Sequence, residues 1–222
     1  MSRTGLGVGT GRYGLLLLIL IGTYLLAAFS GARLATEIQV ILFALIVLIA
    51  LRSSPLPGHW PVIIGATAVL GSIVTYLTSL TGSRVGTATE DLWKGLLLLT
   101  AVIMVVRRVL ARPTVTIQSI YGALCAYLIT GLMFAAFYSG IGHLSSAGFF
   151  AHGQPANTQT YQYFSFTTLT TLGYGDFTAA ANGGRAVAVM EALTGQVFLA
   201  TLVARLVAAY RAPGRPEDDD HG

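Results

Sequence analysis

The sequence predicts an all-α membrane protein: six transmembrane helices, with a re-entrant helix and loop between the fifth and sixth. Three observations carry this. Of 222 residues, 54% are apolar and only 10% are charged, with a mean hydropathy of +0.71, whereas soluble domains carry about 25% charged residues. The apolar residues fall into runs near the roughly 20 residues that a spanning helix needs. One longer, more polar interval, 141–183, separates the last two runs and holds the only Gly-x-Gly step in that part of the chain.

In order, the predicted spans are 13–30, 36–51, 60–80, 92–111, 115–140 and 184–210. The second is short and either sits steeply or extends past Glu37. The first admits a second reading, a signal peptide: Arg3 and Arg12, an apolar run, then Ala28-Phe29-Ser30. The chain divides into a four-helix scaffold at 1–112, a pore unit at 113–211 and a Pro- and acid-rich tail at 212–222 predicted to be disordered. A Gly9-x-Gly11-x-x-Gly14 pattern follows no strand and opens a membrane helix, so it fails the context test for dinucleotide binding.

Charge fixes an expected orientation. With the N-terminus in the cytoplasm, nine basic residues face inward: Arg3, Arg12, Arg52, Arg107, Arg108, Arg112, Arg205, Arg211 and Arg215. Four face outward: Arg33, Arg84, Lys94 and Arg185. The excess favours both termini inside a plasma membrane, with 141–183 open to the outside. The basic balance, pI about 9.4, is thus a topology signal rather than one for nucleic acid, and the expected partners are lipid and further copies of the chain. Cys125 is the single cysteine and has no partner for an intrachain disulfide.

The interval 141–183 contains TTLTTLGYGD at 167–176. Irregular backbone at membrane depth is tolerated only where it lines a cavity or is buried in protein. Glycine reaches positive φ at little steric cost, and alternating it with ordinary residues lets successive carbonyls point one way. Four such strands around an axis make stacked rings of oxygens able to replace the hydration shell of a cation. One chain supplies one strand, so the ring needs a homotetramer.

On these residues the sequence resembles the potassium channel family, in its six-helix, single-pore-loop form. Thr171, Leu172, Gly173, Tyr174, Gly175 and Asp176 occupy the places of the family's Thr-Val-Gly-Tyr-Gly-Asp signature. The resemblance implies a passive potassium-selective channel, not an enzyme. Potassium is the permeant ion, bound by backbone oxygens of Thr171, Leu172, Gly173 and Tyr174, and no organic cofactor is implied. The departure is Leu172, where the family carries valine or isoleucine; a weakly selective cation channel therefore stays open, as does a non-conducting accessory subunit.

The resemblance extends to the flanks. QTYQYFSFTTLT, 159–170, reads as the pore helix, its C-terminal dipole aimed at the ion path. Tyr163 and Phe164 stand where the family has paired tryptophans and are expected to cuff Tyr174. Asp176, Thr170 and Thr167 are expected to support the filter. In 185–207 Gly195 falls at the family's hinge position. Below it Gln196, Leu199, Val203 and Val207 follow helical spacing and are expected to line a cavity; packing on the fifth span is the alternative.

The fourth span, LWKGLLLLTAVIMVVRRVLAR, has Lys94 at its outer end, Arg107, Arg108 and Arg112 at its inner end, and no charge at residues 95–106. A voltage sensor needs charges spaced through the field, so the first four spans read as a non-sensing scaffold. Glu191 is the only acid in the middle of a span. It is expected to point away from the pore and brace the pore helix through Thr167, Thr168 or Thr170; the alternative is a surface acid near a helix end. His143 and His152 fall in the outer loop, either as proton or metal sensors or as solvated side chains.

Overall fold

The computed structural model describes residues 60–111 and 116–209, together with residues 14, 17, 18, 20–22 and 24. The predicted span 36–51, most of 13–30 with its signal-peptide reading, and the tail 212–222 lie outside the described residues. Five helices are described: α1 (Trp60–Ser79), α2 (Arg84–Leu110), α3 (Ile117–Leu144), α4 (Thr158–Leu169) and α5 (Asn182–Ala209). Those of the first span that are described are helical, and they reach α3 and α4: Gly14 faces the Tyr121 ring and Tyr24 meets Phe166 at 5.2 Å.

Among the described residues, two helices are long and apolar enough to cross a membrane, Ile117–Leu144 and Asn182–Ala208. The predicted spans 60–80 and 92–111 exist as the helices α1 and α2. α1 is 20 residues long and carries no charged residue. In α2 the uncharged run 95–106 is twelve residues, about 18 Å at 1.5 Å per residue, against about 30 Å of hydrocarbon.

The predicted start of α2 at 92 is eight residues late. Polar Arg84, Glu90 and Asp91 fall before the predicted span, but they belong to the helix. Ser83 caps it by accepting the Gly86 amide at 2.9 Å. The charges pair among themselves, Lys94 with Glu90 at 2.9 Å and with Asp91 at 3.2 Å. Asp91 also accepts the Ser139 hydroxyl at 2.6 Å and faces His143 at 3.5 Å. His143 is thus in the last turn of α3 against α2, not in a solvated loop.

Contacts give the helix directions. Asp91 lies on Ser139 and Gly95 on Phe137, so α2 and α3 are antiparallel. Gly142 meets Tyr161 and Gly131 meets Phe166, so α4 runs back down along α3. Ser165 meets Glu191 and Leu169 meets Gly195, so α4 and α5 run the same way. The chain therefore climbs α3, descends partway in α4, turns, returns to the α3 end and descends again in α5. The turn after α4 stands beside Gly195, the fourteenth residue of the 28-residue α5, about 20 Å below its start. Each start is signalled locally: Thr116 with Ser119, and Asn157 with Thr160, form capping boxes.

Candidate functional site

The site is the turn between α4 and the outer loop. Thr170 closes α4, its amide bonded to the Phe166 carbonyl at 3.1 Å. The Thr168 carbonyl then accepts the Thr171 amide at 2.9 Å, and the Thr167 carbonyl accepts the amides of Leu172 at 2.8 Å and Gly173 at 3.1 Å. The last carbonyls of α4 are thereby satisfied by the chain that follows, which turns back on the helix axis.

Handedness alternates along that chain. Thr171, Gly173 and Gly175 have φ of +58°, +51° and +80°, while Leu172 and Tyr174 between them do not take positive φ. Alternation of left- and right-handed residues brings successive carbonyls to one side of an extended run. The glycines were legible as the positions that permit it. Thr171 was not: a non-glycine residue there costs about 1–2 kcal/mol, so the surroundings hold it against its own preference. Residues 170–176 are all exposed in the single chain, Tyr174 at 69% and Leu172 at 54%.

The predicted supports divide. Tyr163 donates its hydroxyl to Asp176 Oδ2 at 2.9 Å, tying α4 to the residue that ends the motif. That bond holds the Tyr163 phenol above the usual tyrosine pKa. Phe164 turns the other way. It packs on Tyr138 at 5.0 Å, Phe150 at 5.7 Å and Phe149 at 5.8 Å, behind α4 and away from Tyr174. Two neighbours on a helix point about 100° apart, so a paired cuff within one chain is not formed. Thr167 and Thr170 bond their hydroxyls back to Phe164 and Phe166 of their own helix. Thr167 supports the turn through its carbonyl.

Glu191 is fully buried, which removes the surface-acid reading. It accepts the Tyr138 hydroxyl from α3 at 2.5 Å and bonds to Ser165 of α4. Ser165 also reaches the Gly131 carbonyl at 2.7 Å. One carboxyl thus joins α3, α4 and α5. The expected threonine partners are replaced by Ser165, which lies on the side of α4 that faces α5; Thr167, Thr168 and Thr170 lie nearer the turn.

Gly195 has a role that its hinge position did not indicate. A Cβ there would lie 2.0 Å from the Leu169 carbonyl oxygen. Glycine is required because the end of α4 rests directly on α5. The Tyr127 hydroxyl bonds to the same carbonyl at 3.2 Å. Gln196, Leu199, Val203 and Val207 are exposed in the chain. They do not pack on α3; the α5 ring that does is Phe198, at 5.4 Å from Tyr127.

Sequence reading also missed the outer loop. Phe150 and Ala179 form an antiparallel bridge. Ala151 donates to Thr178 and Ala180 to Phe149, both at 2.9 Å. Gln154 reaches the Asp176 carbonyl, and Arg185, counted before only as an outward charge, donates to Ala179 at 3.0 Å.

Residues 122–212, from α3 through α5, match the family model described as Ion channel. The match spans the whole turn and its supports and marks this part of the chain as an ion-channel domain, in support of a potassium-channel family assignment. No curated protein matches the chain.

Proposed function

We propose that four copies of this chain form a passive, potassium-selective channel in the plasma membrane, with both termini in the cytoplasm. The observation that carries the reading is the alternation of positive φ at Thr171, Gly173 and Gly175. It supplies same-facing carbonyls at Thr171, Leu172, Gly173 and Tyr174. Four copies of that run around an axis give oxygen rings that replace water around dehydrated K⁺. The C-terminal end of α4 adds negative dipole below them. Gln196, Leu199, Val203 and Val207, exposed on one chain, line the inner cavity in this assembly. The helices before α3 complete a six-span subunit. They act as a scaffold rather than a voltage sensor, because α2 carries no charge through residues 95–106.

Leu172 favours a second reading, a cation channel of weak selectivity. Its side chain is bulkier than the family's valine and finds no cover within one chain. Purified protein in liposomes, loaded with potassium and diluted into sodium or potassium, separates the readings. The potassium channel predicts flux driven by a potassium gradient and little by a sodium gradient. Equal flux of both ions establishes the second reading, and no flux of either rejects both.

A further inference from the structure

We infer that Gln154 is a positioning residue for the outer mouth, the tip of a strap formed by residues 149–154 that holds the motif's exit in its conducting shape. The inference rests on the channel reading above.

The strap is built from the backbone outward. Gly148 and Gly153 turn the chain at φ of +84° and +66°. Between them, 149–151 pair with 178–180 through the two 2.9 Å backbone bonds. Phe150 packs on Phe177 at 5.0 Å, and Phe177 also meets Tyr163 at 5.6 Å. Residue 177 is therefore wedged between the strap and α4. The strap then delivers Gln154 to the residue before it: Gln154 Nε2 donates to the Asp176 carbonyl at 2.6 Å.

The orientation of this amide is fixed by chemistry. Gln154 Oε1 accepts the His152 amide at 3.2 Å, a group that can only donate, and the Asp176 carbonyl can only accept. A flipped amide would lose both bonds. Asp176 is consequently held twice, at its carbonyl by Gln154 and at its carboxylate by Tyr163. Gly175 directly precedes it and has positive φ. Glycine has wide conformational freedom, so what limits rotation at the exit is the anchoring of Asp176. Releasing the carbonyl frees the 175–176 region to turn its oxygens away from the ion path.

The test uses the full chain in planar bilayers, comparing wild type with Gln154→Met, which keeps length and loses both bonds, and Gln154→Glu, which replaces the donor with an acceptor. Under steady driving force both variants should lose current about fivefold faster, the worth of one neutral hydrogen bond. Raising outer potassium, which fills the exit, should slow that loss. Tetramer melting temperature should stay at the wild-type value, since the loop's backbone pairing remains. If a variant yields no folded tetramer, Gln154→Ala, which only shortens the side chain, provides the same comparison. A wild type that conducts while the variants match its rate of current loss overturns the inference alone. So does faster loss that outer potassium does not slow. A wild type that carries no potassium current overturns the channel reading as well.

Discussion

α3 and α5 are both 28 residues long and both apolar enough to cross a membrane, yet the chain treats them in opposite ways. In their most apolar stretches, 56% of α3 is buried inside the chain and 11% of α5. The buried positions of α5 are Gly184, Glu191 and Gly195, seven and four apart, a single narrow seam. That seam is two glycines and an acid. Its exposed side carries Val189, Met190, Leu193 and Val197, each more than half exposed. α5 is thus inside out relative to a soluble helix: small and polar groups touch its own chain, and apolar groups face outward. Apolar surface of this extent marks a membrane or subunit interface. α3 is the scaffold of one chain; on our reading α5 is completed by lipid, other copies and the ion cavity.

The contact at the centre of that seam should be the hardest to disturb. Gly195→Ala sets a methyl group against the Leu169 carbonyl, a backbone atom that cannot yield without moving α4. We expect a loss of about 3 kcal/mol or more, at the top of the overpacking range, seen as failure to recover folded tetramer. Gly183→Ala in the first turn of the same helix, with open space around it, should be neutral in the same melting assay. Equal effects of the two would mean that α5 does not bear on α4.

Glu191 comes next. Glu191→Ala strands the Tyr138 hydroxyl and part of the bonding of Ser165 in a buried site, at about 1–3 kcal/mol for each unpaired group. Glu191→Gln retains an oxygen for one hydroxyl and offers hydrogens to the other, so it should be distinctly milder. Thermal melting of the tetramer and the lifetime of potassium current read both. Equivalence of Ala to wild type would reduce the three-helix link to an incidental contact.

On α3 the matching close approach is Gly131, whose added Cβ would meet the Phe166 ring at 2.5 Å. A ring edge can swing where a carbonyl cannot, so Gly131→Ala should cost about 1–2 kcal/mol, less than Gly195→Ala. The reverse order would place the rigid seam on α3. The smallest effect concerns voltage. With no charge at 95–106 of α2, open probability should change little with potential. A tenfold rise over about 20 mV needs several charges crossing the field and would contradict the scaffold reading of the helices before α3.

The division between what the sequence revealed and what it hid follows the same contrast. Helix periodicity and turn chemistry are local, so α1, α3, α4 and α5 were legible to within a few residues, and the glycines at 173 and 175 announced the turn. α2 was cut short because Glu90, Asp91 and Lys94 neutralise one another through spacings of three and four, while Ser139 and His143 approach from another helix. Glu191 and Asp176 were expected as supports, but their partners were hidden for a related reason. Glu191 and Ser165 are 26 residues apart, Gln154 and Asp176 are 22 apart, and neither pair belongs to a shared periodic pattern. Gly195 was noticed, but sequence alone does not show that Leu169 rests on it. Thr171 gave no sign of its φ because only the folded turn imposes it.

The central claim is that the alternating turn at 171–175 selects potassium. Reversal potential, measured in a planar bilayer with potassium on one side and sodium on the other, tests it most directly. Wild-type protein should reverse far toward the potassium equilibrium potential, and Gly173→Ala, which places a Cβ on a residue at φ +51°, should abolish selective current while the tetramer still forms. A wild-type reversal near zero, or selectivity that survives Gly173→Ala unchanged, would contradict the account.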